Sequence, residues 1–252
     1  MKALILAAGY ATRLYPLTKE YPKPLLHVGG RPLIDYIIEK INKLKEIDEI
    51  IVVTNSKFIG KFRQWAKAPV SRKPISLVDD LTKNYCHRRG AIGDMHFAVE
   101  KKHLCDDLLV VGGDNLFDGD LKELVAFAKK NKPHTVIGVY DIKKKNLTSK
   151  YGVIKLGKKN RIIDFKEKPK TSSSTLVAMC LYYFPKEKLG LIKEYFEGRT
   201  NKHDATGFYI DWLRKKAPIY GYIYSGRWYD IGDVKFYNRA KKTFKWRRWV
   251  NA

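Results

Sequence analysis

Residues 2–13 read KALILAAGYATR, a short apolar run that halts at Gly9 and turns polar at Thr12 and Arg13. No alternation with a period of two interrupts the run, so it reads as a strand buried on both faces, the texture of a parallel sheet. The same texture returns in EIIVVTN (49–55), PISLVDD (74–80), DLLVVGGDN (107–115) and HTVIGVYDI (134–142). Between these runs lie helical patterns. PLIDYIIEKINKL (32–44) puts Leu33, Ile34, Ile37, Ile38 and Ile41 on one face, and FIGKFRQWAK (58–67), residues 92–102 and DLKELVAFAKKN (120–131) continue the series. Strand and helix in strict succession predict right-handed crossovers and a doubly wound, Rossmann-like, mostly parallel α/β sheet.

Beyond Lys143 the texture changes. YGVIKLGKKNRIIDFKEKP (151–169) reads as two strands about a Gly-Lys-Lys-Asn turn, and TLVAMCLYYF (175–184) as a further strand. Helices are predicted at 189–196, 205–216 and 234–244, with strand-like IYGYIYSGRWYDIGD at 219–233. Neither a linker rich in Gly, Ser or Pro nor an internal repeat divides the chain, so residues 1–252 are read as one domain with a β-rich lobe added to the sheet.

Composition limits the function. With 44% hydrophobic residues in 252, the chain closes one sizeable core. Cys86, Cys105 and Cys180 are widely spaced and form no CxxC pair, which argues against disulfides and structural zinc and for a reducing compartment. No run approaches the roughly 20 apolar residues of a membrane span; the expectation is a soluble, cytoplasmic protein. Lys and Arg number 50 against 26 Asp and Glu, a net charge of +24. Such a charge suits either nucleic acid or small polyanions. The basic residues are scattered in short clusters (143–145, 158–159, 215–216), which favours nucleotides and sugar phosphates and leads us to expect no nucleic-acid partner. KKTFKWRRW (241–249) is the exception, a basic aromatic tail suited to an anionic surface or to packing on the body or a neighbouring subunit.

In open α/β sheets ligands bind at the carboxyl ends of the strands. Three features fall there. Residues 7–13, AAGYATR, offer small residues for close backbone approach to phosphate and a guanidinium at Arg13; an ordinary strand-to-helix turn would read the same way. Asp114 follows a buried strand and two glycines, as either a Mg²⁺ ligand or a turn cap. Asp230 ends another apolar run. Neither a P-loop nor GxGxxG is present.

Residues 6–34, LAAGYATRLYPLTKEYPKPLLHVGGRPLI, resemble the opening signature of the sugar-nucleotide pyrophosphorylases, the sugar-phosphate nucleotidyltransferases that include glucose-1-phosphate thymidylyltransferases and uridylyltransferases. Gly9, Thr12, Arg13, Leu14, Pro16, Leu17, Thr18, Pro22, Lys23, Pro24 and Leu25 match in register. Further matches are GGDN (112–115), YG (151–152), EKP (167–169) and DIG (230–232), so residues 1–244 are covered. The resemblance implies the nucleotide-diphospho-sugar transferase fold, with a nucleotide-binding half at 1–142 and a sugar-phosphate-binding half at 143–244, ahead of the 245–252 tail. It implies that Arg13 and Lys23 are catalytic and that Leu6, Ala7, Ala8, Gly9, Tyr10, Ala11, Thr12, Gly90 and Asp94 bind nucleotide. Gly152, Glu167 and Lys168 would bind the sugar phosphate, and Asp114 and Asp230 would ligate Mg²⁺. The implied substrates are an NTP, dTTP or UTP, and glucose 1-phosphate; homo-oligomers are common among such relatives. A cytidylyltransferase acting on phosphocholine or another alcohol phosphate would share the loop, Lys23 and both aspartates. A non-catalytic regulatory relative would be free to lose them.

Departures from the pattern are informative. Ala11 replaces the second glycine of GxGTR, and because alanine tolerates positive φ poorly, the loop is expected to keep an ordinary backbone angle there. The glutamine that reads the pyrimidine edge in many thymidylyltransferases has no counterpart near 90–94. DATGF stands at 204–208 in place of DAPGN, and the sequence gives no account of the positive run His87, Arg88, Arg89.

Overall fold

The structure is a computed structural model that describes residues 1–198 and 204–244; residues 245–252 of the basic aromatic tail lie outside the described residues. Each of the five apolar runs forms a strand of one sheet. β1 (Lys2–Leu6) is followed by the short hairpin β2 (His27–Val28) and β3 (Arg31–Pro32), then β4 (Glu49–Thr54), β5 (Ile75–Asp79) and β6 (Leu108–Gly112). After the two-residue β7 (Leu116–Phe117) come β8 (Thr135–Asp141), β9 (Gly152–Leu156), β10 (Ile162–Glu167), β11 (Leu176–Phe184), β12 (Ile219–Ile223) and β13 (Trp228–Tyr229). The helices are α1 (Leu33–Asn42), α2 (Ile59–Trp65), α3 (Gly90–Lys101), α4 (Lys122–Lys130), α5 (Gly190–Glu197), α6 (Thr206–Lys216) and α7 (Val234–Thr243).

β6, β1, β4 and β5 run parallel, with β1 central and paired to β4 and β6. Because successive residues face opposite sides, Ala3 and Ile5 pack with Ile37 and Ile41 of α1, Phe62 of α2 and Leu124 of α4. Leu4 joins Ile92 and Met95 of α3, Ile192 of α5 and Leu213 of α6 on the other face. Two covered faces are the physical reason the runs show no polar alternation.

The second half of the chain builds onto the same sheet, as expected, and its strands interleave with those of the first half. β8 does not pair with β6. β11 lies between them, antiparallel to both, and β12 pairs parallel with β8. β11 also carries an irregularity between Ala178 and Tyr182, where Cys180 takes φ 52°. Past it, Leu181 to Phe184 pair with β6; before it, Val177 pairs with Val153 of β9, which continues into the β9–β10 hairpin. The sheet therefore forks where β6 ends. The loop from Gly112 to Asn115 emerges in the fork.

α7 closes the structure beside the fork. Tyr237 and Ala240 pack with Leu14, Leu26, Val28 and Ile231, and the Tyr237 hydroxyl donates to His27 O at 2.8 Å. Among the described residues no helix is long and apolar enough to cross a membrane.

The insertion of β11 demands close approach at Gly138 of β8. A Cβ there would lie 3.0 Å from Leu181 Cβ and 3.1 Å from its Cδ2. Gly138→Ala should destabilise by about 1–3 kcal/mol, read as a lower urea midpoint at unchanged m; an unchanged midpoint would mean that β11 is not seated there.

Candidate active site

The loop after β1 is fixed at its start and open at its middle. Ala7 N donates to Val53 O at 2.8 Å, and Asn55 Nδ2 to Ala8 O at 2.8 Å. Gly9 is exposed with nothing near its Cα face. The Tyr10 side chain folds inward against Phe58 and Tyr85, its hydroxyl 3.2 Å from Thr82 Oγ1. Thr12 and Arg13 are exposed in a 3-10 turn anchored by buried Leu14. The expectation for Ala11 fails: it adopts φ 46°, ψ 43°, the left-handed region. That conformation costs an alanine about 1–2 kcal/mol. Two bonds to its carbonyl oppose the cost, from Leu14 N at 2.9 Å and from Thr18 Oγ1 at 2.8 Å.

Two carboxylates emerge at the fork. Gly113 N donates to Leu6 O at 2.8 Å, tying the 112–115 loop to the end of β1. Asp114 then meets Lys23, whose Nζ lies 2.5 Å from Asp114 Oδ2. Lys23 is only 8% exposed, whereas the Asp114 side chain keeps 42% of its surface open. Burial works to raise the Asp114 pKa, but the Lys23 ammonium, helped by a backbone hydrogen bond and the Arg13 charge, holds the carboxylate below its ordinary range. Asp230, just after β13, behaves oppositely. Burial and the Asp114 charge push it up, against Lys23 and the Tyr151 hydroxyl, which donates to Asp230 Oδ2 at 2.9 Å.

Asn115 sets the frame. Its Nδ2 donates to Met179 O at 2.5 Å and Cys180 O at 3.0 Å, satisfying the carbonyls of the β11 irregularity. Its Oδ1 accepts from Trp228 Nε1 at 2.8 Å. Burial pushes the neighbouring Cys180 thiol up to about 12.

On the opposite side, Lys168 N donates to Tyr151 O at 2.9 Å, and Lys168 Nζ stands 3.6 Å from Glu167 Oε1. Glu167 is largely buried and its pKa is raised by that burial, against the pull of Lys168. Two glycines make room for it: a Cβ would lie 1.8 Å from Glu167 Oε2 at Gly207 and 3.1 Å at Gly152.

Arg13, Asp114, Lys168 and Asp230 line one cleft of about 570 Å³, with Ala91, Tyr151, Trp228 and residues 204–206 completing its wall. Lys23 is bonded to one of these four, and Gly152 and Glu167 are chain neighbours of Tyr151 and Lys168. Gly90 opens α3 at φ 76°. The Asp94 side chain is not among those that line the cleft; it is buried beside Asp80, its Oδ1 without a hydrogen-bond partner, and burial together with the Asp80 charge raises it well above its ordinary value. Sequence reasoning passed over Tyr151, Asn115 and Trp228 as single residues. The YG and GGDN matches contained the first two; nothing marked the third.

The donor set suits Mg²⁺. Among the described residues no group of three or more His, Cys, Asp or Glu converges to form a closed site. Asp114 and Asp230 instead offer oxygen donors to one cleft, and burial, with the Asp114 charge adding to it, raises Asp230. Mg²⁺ is commonly held by one or two carboxylates, with substrate phosphates and water filling the remaining positions.

Comparison with known proteins gives concordant results. The family model described as "Nucleotidyl transferase" matches residues 2–245. The bifunctional protein GlmU of Methanococcus aeolicus is 33% identical over 233 residues, 92% of this chain and 51% of that protein; the chain thus spans about half the length of that relative. The UTP–glucose-1-phosphate uridylyltransferase of Staphylococcus epidermidis is 30% identical, covering 92% of this chain and 88% of that one. A crystal structure of UDP-glucose pyrophosphorylase complexed with UDP-glucose superposes with TM-score 0.81 over 96% of this chain and 97% of that chain, at 22% identity.

Two substitutions test this geometry. Asn115→Ala strands two carbonyls and the Trp228 indole and should cost about 3 kcal/mol in urea unfolding. Ala11→Gly removes the left-handed strain and should raise stability by up to about 1 kcal/mol. A loss of stability on Ala11→Gly would show that the angle at residue 11 is unstrained.

Proposed function

The chain belongs to the nucleotidyl transferase family, and from that premise we propose that it transfers a nucleotidyl group from an NTP to a sugar 1-phosphate, releasing pyrophosphate. The observation that carries the reading is the convergence of Arg13, Asp114, Lys168 and Asp230, four charged side chains far apart in sequence, on one cleft at the carboxyl ends of the strands. UTP or dTTP and glucose 1-phosphate are the proposed substrates, a choice supported by the uridylyltransferase relative that spans most of this chain.

An oxygen of the acceptor phosphate attacks the α-phosphorus in line, and the bond from that phosphorus to the bridging oxygen of pyrophosphate breaks. The attacking oxygen is already anionic, so no general base is required. No nucleophile of the protein is needed either, and the thiol in the cleft wall, Cys180, is held protonated by burial. What remains is positioning and charge. Arg13 grips the departing pyrophosphate. Lys23, already desolvated beside Asp114, neutralises the α-phosphate, and Lys168 holds the acceptor phosphate with Glu167 on the sugar hydroxyls. Asp114 and Asp230 would hold Mg²⁺, which supplies charge neutralisation on the phosphates. We assign nucleotide binding to the backbone of residues 6–12 and to Gly90, which adjoin the cleft-lining Arg13 and Ala91 in sequence.

Pyrophosphate release, measured with Mg²⁺ across the nucleoside triphosphates and a panel of sugar phosphates, is the direct test. Release is expected for UTP or dTTP with glucose 1-phosphate, and Asp114→Asn should lower it at least about a hundredfold. A folded chain that releases none from any pair would refute the reading. Gly207→Ala pushes the Glu167 carboxylate aside and should raise KM for the sugar phosphate about tenfold, or ~1.4 kcal/mol, while KM for the nucleotide holds. A change in nucleotide KM alone would remove Glu167 from the sugar side.

A further inference from the structure

Two consecutive arginines stand in the loop between β5 and α3, and they serve different neighbours. Arg89 Nε donates to Asp80 O at 2.7 Å, and its guanidinium lies 4.3 Å over the Phe97 ring, fixing it to the end of β5 and to α3. Arg88 turns to the other half of the chain. Its Nε donates to Asp204 Oδ1 at 2.9 Å and its Nη2 to Asp204 Oδ2 at 3.1 Å. Nη1 donates to Tyr85 O at 3.0 Å, and the guanidinium sits 3.9 Å over the Tyr85 ring. Asp204 O in turn accepts from Ala91 N at 3.2 Å. The turn between is held by Asn84 Oδ1, which accepts from Cys86 N and His87 N.

We propose that Arg88 and Asp204 form a clasp that couples the nucleotide and sugar-phosphate ends of the cleft. This rests on the assignment of those ends given above. Ala91 and Asp204 both line the cleft. On one side the clasp holds the segment that leads into Gly90 and carries Tyr85 against Tyr10. On the other it holds the residue before Ala205 and α6, whose Gly207 seats Glu167. Order imposed at one end is thereby passed to the other, and each substrate prepares the site for its partner. Arg88 and Asp204 act as positioning residues.

Exposed ion pairs are commonly worth about 0.2–1 kcal/mol. This one differs in geometry: both carboxylate oxygens are engaged by a planar fork, and the cation is stacked on an aromatic face. A lysine keeps the charge but loses the fork and the stack, so Arg88→Lys separates geometry from charge.

The test combines hydrogen exchange on residues 84–90 with steady-state kinetics of the whole chain. It compares Asp204→Asn, Arg88→Lys and the reversed pair Arg88→Asp/Asp204→Arg with the parent. Asp204→Asn should speed exchange in 84–90, although it lies 116 residues from Arg88 in sequence. It should raise KM for both substrates together by about fivefold or more, with kcat changing less. Arg88→Lys should do the same, and the reversed pair, which restores the fork but not the stack on Tyr85, should recover part of both readouts. Unchanged exchange in Asp204→Asn, a KM effect confined to one substrate, or a reversed pair no better than the single variants would overturn the clasp. Exchange reports on the clasp whatever the chain catalyses, so a parent with no turnover counts against the catalytic reading alone.

Discussion

A nearly buried ammonium facing a carboxylate is the constraint around which this site is arranged. Lys23, at 8% exposure, has most of its surface out of water, and removing an ion from water costs several kcal/mol that close pairing offsets. Asp114 is the partner. To present it, β1 and β6 must lie side by side in register, with Gly113 bonded to Leu6 so that the next residue faces the lysine. The pair is thus a product of the parallel sheet and fixes an ammonium beside a cleft-lining carboxylate before any ligand arrives. Charge fixed in advance needs no reorganisation when the reaction builds charge of its own.

The second carboxylate is held by different means. Asp230 has a neutral donor, Tyr151, and feels Asp114 as a like charge. One aspartate is kept low by a cation and the other is kept high by burial, which makes the pair asymmetric and receptive to a further positive charge. Asp230 reaches the cleft because Trp228, two residues earlier, is pinned by Asn115, and Asn115 is pinned by the β11 irregularity. The fork in the sheet is therefore the mechanical base of the site: β6 ends, β9 takes its place beside β11, and the polar side chains enter through the gap.

How much of this the sequence disclosed follows physical lines. Apolar runs of strand length and faces such as Ile34, Ile37 and Ile41 are local signals, and the strands and helices formed where those signals placed them. The neighbour of a strand is not a local signal. HTVIGVYDI reads equally well beside DLLVVGGDN or one strand removed, and only the assembled sheet shows β11 between them. Ala11 was read from its own Cβ, whereas its conformation is supported by Thr18, seven residues later. Asp94 lies on a helix whose first turn borders the cleft, and sequence spacing did not reveal that its side chain pairs inward with Asp80. The role of Arg88 depends on a residue in the other half of the chain. Arg13, Asp114, Lys168 and Asp230 were legible because they sit in motifs, and motifs mark ligand chemistry better than they mark supporting contacts.

In the proposed reaction Asp114 and Asp230 act on one bound cation as a unit. Calorimetric binding of the preferred nucleoside triphosphate, with and without Mg²⁺, measures this directly. The parent should gain affinity from Mg²⁺, and Asp114→Asn and Asp230→Asn should each abolish that gain, with the double variant no worse than either single one. A Mg²⁺-dependent gain that survives in either variant, or losses that simply add, would contradict a shared site.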